Sequence, residues 1–497
     1  MTALTQRNGL PLRPALIGGK PVEARDVIDV LDPSTGAACA RIARGGGAEI
    51  DLAVTSAREA FENEWRHASP ADRAAACRRI ADAIRSHREE LAELESLDTG
   101  KPLSQAFVDA DAAARYFDFY AGCAEALFGS TLFSQPDAVA YTLTEPYGVC
   151  GHIIPWNYPM QVVARTIAPA LAAGNACVLK PAEDAPLTPM RIAELALTAG
   201  LPPGVFNVVP GYGEEAGAAL AAHPGIDHMA FTGSREVGTL VMTSAAANIV
   251  PVTLELGGKS PHLVFPDFDA EQAIPLIVSS ITEHAGQNCS AGSRLLVHES
   301  VRERTVAALV EAFERMRIGP GKTDPDLGPL ISEKQRTRVL GYMEEGKKVA
   351  RLATGGGVPD DPALAGGFFV QPTIFDDVPH DSRPAQEEIF GPVLCVTPFR
   401  DLAEAVELAN GTSYGLAAGV WTRDVGLAHH LTRELRMGQI FVNNYSAAGA
   451  VELPFGGYKR SGFGREKGFE ALREYTQCKA VAIRTTPPAS PPTSSSG

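Results

Sequence analysis

The sequence predicts an α/β protein built on a doubly wound parallel sheet, with a second α/β unit behind it. Three observations carry this reading. At 497 residues the chain exceeds what a single hydrophobic core usually supports, so two or three domains are expected. From Gly148 onward short β-rich runs alternate with helical ones, the pattern of a parallel sheet covered on both faces. A second run of the same kind extends from about Lys259 to Arg460.

Residues 51–122 read as helices. Ser69-Pro70 fits an N-cap followed by proline at the first helical position, and the apolar spacing through Leu94 is close to 3.6. Gly100, with Pro102 just beyond it, reads as the stop. Residues 138–144 alternate apolar and polar, which predicts a half-exposed strand. Strands are expected over 149–154, 176–180, 205–209 and 228–231, with helices over 189–199 and 214–222 between them. The Pro/Ser/Thr-rich tail after Arg484 is expected to be disordered, and no internal repeat occurs.

Composition narrows the function classes. The chain is 45% hydrophobic and 21% charged, with a formal net charge of -15. That charge repels phosphate backbones and no Lys/Arg-rich run offsets it, so a nucleic-acid partner is not expected. Residues 1–22 lack a signal-peptide pattern, and no stretch approaches the roughly 20 apolar residues that span a bilayer. A cytoplasmic location without membrane attachment is expected. Eight cysteines stand singly, with no Cys-x-x-Cys and no His-Glu-x-x-His, so buried reduced thiols are expected rather than disulfides or a metal site.

Two segments carry covalent chemistry. Residues 253–259 read Thr-Leu-Glu-Leu-Gly-Gly-Lys, and residues 286–289 read Gly-Gln-Asn-Cys. A thiol nucleophile needs a base to deprotonate it, and an acyl-thiol needs one to activate water for its release. Glu255 near Cys289 would serve both steps. Read alone, Glu255 is equally a solvated acid and Cys289 an inert core thiol. A cysteine hydrolase using His284 or His262 as base is a rival reading.

Two turns compete for a dinucleotide. Gly211 to Ala216 mimics the glycine fingerprint, but Glu214 and Glu215 at the helix start would repel a pyrophosphate. Gly213 stays a candidate contact beside the plainer reading of a tight strand-to-helix turn. Residues 231–238, Phe-Thr-Gly-Ser-Arg-Glu-Val-Gly, suit the role better: a strand ends, Gly233 permits close approach, and Ser234 caps a new helix.

These segments, with Pro155-Trp156-Asn157-Tyr158-Pro159, Lys180-Pro181, Glu388-Ile389-Phe390-Gly391-Pro392 and Pro454-Phe455-Gly456-Gly457, resemble the motifs of the aldehyde dehydrogenase superfamily. The resemblance runs from about Asp32 to Lys479, closest to its non-acylating, betaine-, amino-aldehyde and semialdehyde dehydrogenase-like branch. It implies NAD-dependent oxidation of an aldehyde to the acid through a cysteine thiohemiacetal and thioester. Cys289 would be the nucleophile. The Asn157 amide and the Cys289 N–H would hold the oxyanion, and Glu255 would activate water. Cofactor contacts are implied at Ile154, Trp156, Lys180, Glu183, Gly213, Phe231, Gly233, Ser234, Val237, Leu256, Glu388 and Phe390. A carboxylate at Glu183 disfavours a 2′-phosphate, so NAD is expected over NADP.

The implied architecture is a Rossmann-type NAD-binding domain (1–129 and 150–257), a catalytic domain (258–460) and a small β oligomerisation module (130–149 and 461–485), ending in the tail at 486–497. A homodimer or homotetramer is expected.

For the aldehyde itself, Arg165 lies two helical turns after Asn157 and resembles the arginine of relatives that oxidise carboxylated semialdehydes. Those relatives carry a second arginine where this chain has Glu283, so an Arg165–Glu283 ion pair in the tunnel wall is expected. Tyr158 and Asp109 match positions used by aminoaldehyde-oxidising relatives, although Asp109 alone reads as a solvated helix acid. Residues 446–450 are small and lack aromatics, which suggests a roomy tunnel mouth. A broad aldehyde range is expected.

Overall fold

Helix signals in the first quarter of the chain translate closely into structure. Helices span Gly47–Asn63, Pro70–Ser86, Arg88–Thr99 and Leu103–Cys123. Ser69 caps the second, accepting from the Asp72 N–H while Asp72 bonds back, and Gly100 ends the third with φ 73°. The computed structural model describes residues 5–7, 10–133, 136–446 and 450–485. The expected tail at 486–497 and the centre of the 446–450 loop lie outside the described residues.

The first large sheet runs, edge to edge, Gly462–Phe463, Val252–Glu255, His228–Thr232, Val149–Ile153, Ala176–Lys180, Phe206–Val208, Ala15–Ile17 and Lys20–Val22. Its five central strands are parallel. Numbered in chain order they read 3-2-1-4-5, so the winding reverses between Val149–Ile153 and His228–Thr232. Ligands of doubly wound sheets bind outside the carboxyl ends of the strands at such a reversal. Ile154, Lys180, Gly233 and Leu256 all sit at or just past those ends.

The second sheet runs Arg351–Thr354, Thr373–Asp376, Val393–Phe399, Arg294–His298, Pro261–Val264, Ala417–Trp421 and Gln439–Val442. All its pairings are parallel except that of the Arg351–Thr354 edge. The helix Pro159–Ala173 is buried over nearly its whole length, in the same apolar cluster as the helices Pro70–Ser86 and Leu103–Cys123.

Several expectations change. A four-stranded sheet (Thr5–Arg7, Leu10–Arg13, Val27–Leu31, Ala38–Ala43) precedes the helices and was not anticipated. The helix expected over 214–222 is a π-helical turn, Gly213–Gly217, continued by Ala218–Ala221. The segment 461–485 divides. Gly462–Phe463 joins the first sheet beside Val252–Glu255, and Gly468–Glu474 packs on the buried helix, because Ala471 and Leu472 belong to its core. Only Thr476–Arg484 pairs with Ala138–Pro146, in a three-stranded antiparallel sheet completed by Thr131–Leu132. That sheet exposes Val139, Leu143 and Ile483. All eight cysteines are free thiols, but Cys478 is exposed rather than buried, since it lies on this solvent-facing strand. Among the described residues no helix is long and apolar enough to cross a membrane.

Candidate active site

The two covalent candidates approach each other through a pair of glycines. Glu255 ends the strand Val252–Glu255, and the chain then turns through Gly257 and Gly258. A Cβ on Gly258 would lie 2.6 Å from the Cys289 carbonyl oxygen, and one on Gly257 would lie 2.2 Å from the Glu388 carboxylate. Only glycines let both close approaches stand. Cys289 is reached through a strained reversal: His284, Ala285 and Gly286 all have left-handed backbones, with φ 48°, 53° and 70°.

Glu255 is 3% exposed, and neither carboxylate oxygen has a hydrogen-bond partner. Burial, reinforced by the charge of Glu466, holds its proton well above the usual carboxylate range. The reading of Glu255 as a solvated acid is therefore excluded. Cys289 is half-buried, and burial pushes its thiol up to about 12, with Arg165 as the main opposing charge. At rest this is a neutral acid beside a neutral thiol.

Asn157 is 5% exposed and donates one amide N–H to the Gln287 carbonyl at 2.9 Å. A primary amide has two N–H donors, so the second is free for an oxyanion. Gln287 was not foreseen, yet it ties the nucleophile turn together. Its side chain donates to the His284 carbonyl at 3.1 Å and accepts from the Ile331 N–H at 2.9 Å. Tyr445 was also missed; its hydroxyl donates to the Ser290 carbonyl at 2.6 Å, fixing the residue after Cys289.

The charged residues regroup. Arg165 sits in the buried helix Pro159–Ala173, where a cation must find a partner. That partner is Glu466, not Glu283, and the guanidinium also lies 5.1 Å over the Phe455 ring. No sequence signal singled out Glu466: its closeness to Arg165 is made by Gly462–Phe463 joining the first sheet. Asp109 is not a solvated acid either. At 2% exposure it pairs with Lys101 and accepts from Gln161 Nε2 at 2.5 Å. Lys101 is fully buried, bonds Glu95 at 3.1 Å as well, and sits 4.1 Å over the Tyr158 ring.

Of the residues expected to hold the dinucleotide, Ile154, Lys180, Gly233 and Leu256 lie at or just past the carboxyl ends of strands of the first sheet. Ser234 caps the twelve-residue helix Arg235–Ala246, its hydroxyl accepting from the Val237 N–H at 3.3 Å. Lys180 and Glu183 pair at 2.8 Å beyond the strand end, where an ammonium and a carboxylate suit ribose hydroxyls. Glu388 accepts from the Gly258 N–H at 3.0 Å, and burial raises its pKa to about 7. Trp156 meets Phe390 edge-on at 5.3 Å; Phe390 itself has a left-handed backbone, φ 61°. Phe231, Ile154 and Leu256 are buried beneath these groups, while Val237 is exposed. These residues fit a dinucleotide. A Cβ on Gly213 would meet nothing within 4 Å, and Glu215, two residues on, is held by Arg44.

A carboxyl, a thiol and an amide donor around one turn, next to a Rossmann-type crevice, define a nucleotide-linked enzyme working through a covalent thiol. The sequence profile of the aldehyde dehydrogenase family matches residues 21–481, and the chain belongs to that family. It is 43% identical over 471 residues to the betaine aldehyde dehydrogenase of Bacillus subtilis, covering 94% of this chain and 96% of that one. It is equally 43% identical over 468 residues to the hydroxyisobutyraldehyde dehydrogenase of Mycolicibacterium austroafricanum, with 94% and 93% covered. The betaine aldehyde dehydrogenase of Staphylococcus aureus, solved in complex with NAD+, superposes with a TM-score of 0.94 at 38% identity, covering 96% of each chain.

Proposed function

We propose that this aldehyde dehydrogenase oxidises small aldehydes to carboxylic acids with NAD, using Cys289 as nucleophile, Asn157 with the Cys289 N–H as oxyanion donors, and Glu255 as the base. The observation that carries the assignment is the convergence of the three on one turn, with an acid whose oxygens have no other employment.

The thiol proton must pass to a base before attack, Glu255 once ionised being the one at hand, and Arg165 is the charge that favours the thiolate. Attack on the aldehyde carbon forms a thiohemiacetal whose oxyanion lies against the free Asn157 N–H. One such donor is worth about 3 kcal/mol at a transition state. NAD+, when bound, supplies the acceptor for the hydride that leaves the thiohemiacetal carbon. Glu255 acts as base once it has given its own proton to solvent; it then takes a proton from the water that attacks the thioester, and the C–S bond breaks to release the acid and restore Cys289. Lys180 and Glu183 would hold the adenosine ribose, Ser234 the pyrophosphate and Glu388 the nicotinamide ribose. Glu183 supports NAD over NADP, by repulsion of a 2′-phosphate.

The test is NADH release on mixing the full chain, NAD and a neutral aldehyde, with and without coenzyme A. Cys289→Ala should abolish it. Glu255→Gln should leave a single-turnover burst but lower the steady rate by about 10²–10⁴-fold. Full turnover by Cys289→Ala sinks the assignment; a requirement for coenzyme A overturns hydrolysis by Glu255.

Arg165 is already paired, which removes the support for a carboxylated semialdehyde as the specific substrate, and we retain a broad range. The exposed three-stranded sheet suits pairing with a second copy of the chain in a cytoplasmic homodimer or homotetramer. A monomeric mass in light scattering would contradict it.

A further inference from the structure

The sequence offers His262 as a rival base for the thiol, and its surroundings take it out of that role. Its ring is fully buried, and Nδ1 accepts from the Trp421 indole N–H at 3.1 Å. The ring proton must then sit on Nε2, which lies 2.9 Å from the Ser280 hydroxyl. Ser280 gives its own proton to the Ile277 carbonyl at 2.7 Å, so it accepts from His262. Both nitrogens are spent, and burial keeps the ring neutral. No lone pair is left to take a proton from Cys289.

The chain nevertheless makes room for this ring. A Cβ on Gly292 would lie 2.1 Å from Nε2, and one on Gly419 would lie 2.8 Å from Nδ1. What the slotted ring supports is Tyr445, whose ring centroid lies 4.3 Å away. Tyr445 is 6% exposed and stands close between two left-handed residues, Asn443 with φ 52° and Ser446 with φ 61°. Asn443 is pinned by bonds to the Thr422 backbone at 3.0 and 2.8 Å. A left-handed serine persists only where its surroundings over-determine the backbone.

The Tyr445 hydroxyl reaches the Ser290 carbonyl at 2.6 Å, and burial keeps it protonated and able to donate. The nucleophile turn is thus held on either side of Cys289 along the chain. Before it, Asn157 donates to the Gln287 carbonyl. After it, Tyr445 holds the Ser290 carbonyl, while Asn288 takes the Ser290 and Ala291 N–H groups, each at 3.0 Å. The Cys289 N–H lies between these clamps.

We propose that Tyr445, braced by His262, is a positioning residue that keeps the Cys289 N–H aligned with the Asn157 amide on the developing oxyanion. This role rests on the covalent aldehyde oxidation proposed above. Oxyanion donors act only in the geometry in which they are preorganised, so a small drift of the turn slows the reaction. Alkylation of the thiol by iodoacetamide builds no oxyanion and needs no such alignment.

The experiment measures kcat/KM of the full chain for butanal at saturating NAD, with sites counted by the extent of Cys289 alkylation. The rate constant of that alkylation is read on the same samples. Tyr445→Phe should lower kcat/KM about tenfold and leave the alkylation rate within about twofold of wild type. His262→Asn keeps an acceptor for Trp421 but removes the brace, and it should slow oxidation as far without abolishing it. Because both act through one hydroxyl, the double variant should be no slower than Tyr445→Phe alone. Unchanged kcat/KM in Tyr445→Phe, alkylation that falls as far as turnover, or losses that multiply in the double variant each overturns the clamp. Failure of aldehyde oxidation itself shows differently, as no NADH from the wild-type chain.

Discussion

Two buried cations flank the reaction centre, and they are balanced differently. Arg165 meets one acid, Glu466, in a one-to-one pair beside Glu255 and Cys289. Lys101 meets two, Glu95 and Asp109, and acts on a third, Glu283, that it does not reach. The first grouping is closed: its charges pair one to one, and Arg165 only opposes the burial and the neighbouring acids that keep the Cys289 thiol protonated. The second is overdrawn in negative charge, and burial pushes Glu95 up to about 7. Arginine near an active site is thus a poor guide to an acidic substrate until its partner is known.

The largest effect expected from breaking this comparison is at Lys101. Lys101→Met leaves two carboxyls buried without their cation, and removing one partner of a buried pair costs about 3–5 kcal/mol. The melting temperature should drop by many degrees or folded protein should be lost. A wild-type melting curve would show that Lys101 is no buried linchpin. Arg165→Met orphans a single acid, so its loss of stability should be smaller than that of Lys101→Met under the same conditions. It also removes the charge that favours the Cys289 thiolate, so alkylation of Cys289 by iodoacetamide should slow. Unchanged alkylation in a folded variant would separate Arg165 from the thiol.

Glu255→Gln works in the other direction. Its folded pKa is raised, so as pH climbs above the ordinary carboxylate range the unfolded chain ionises while the folded one keeps the proton. That penalises the native state increasingly with pH, and glutamine removes the penalty. The variant should melt higher than wild type at pH 8, with a smaller gain at pH 5. A gain that shrinks with rising pH would reverse the sign and refute the buried neutral acid. The smallest effect is the slope of Cys289 reactivity. With the thiol pushed up to about 12, alkylation of the free protein should keep rising through pH 9. A plateau below pH 8 would show a thiol already ionised.

Local signals were legible where chemistry is local. The Ser69 cap, the Gly100 stop and the strand at 176–180 fall where turn and periodicity arguments put them. The Gly257-Gly258 turn beside Glu255 was visible because close approach demands glycine, whatever the neighbour. The Arg165–Glu283 pair failed because sequence spacing places a side chain on a helix face without saying what lies opposite. The same blindness made Asp109 look solvated: its helix face packs inward on a lysine eight residues away and a glutamine from another helix. The 461–485 segment divided because a two-residue strand, Gly462–Phe463, carries no periodicity to read.

The sequence by itself determined the family and marked the candidate thiol, acid and nucleotide turn, since each is written in a short motif whose geometry follows from its own residues. Only the tertiary structure decided how the charges pair. That depends on which distant segments pack against the buried helix and the nucleophile turn, and Coulomb energies in a low-dielectric interior are set by those separations, not by order along the chain.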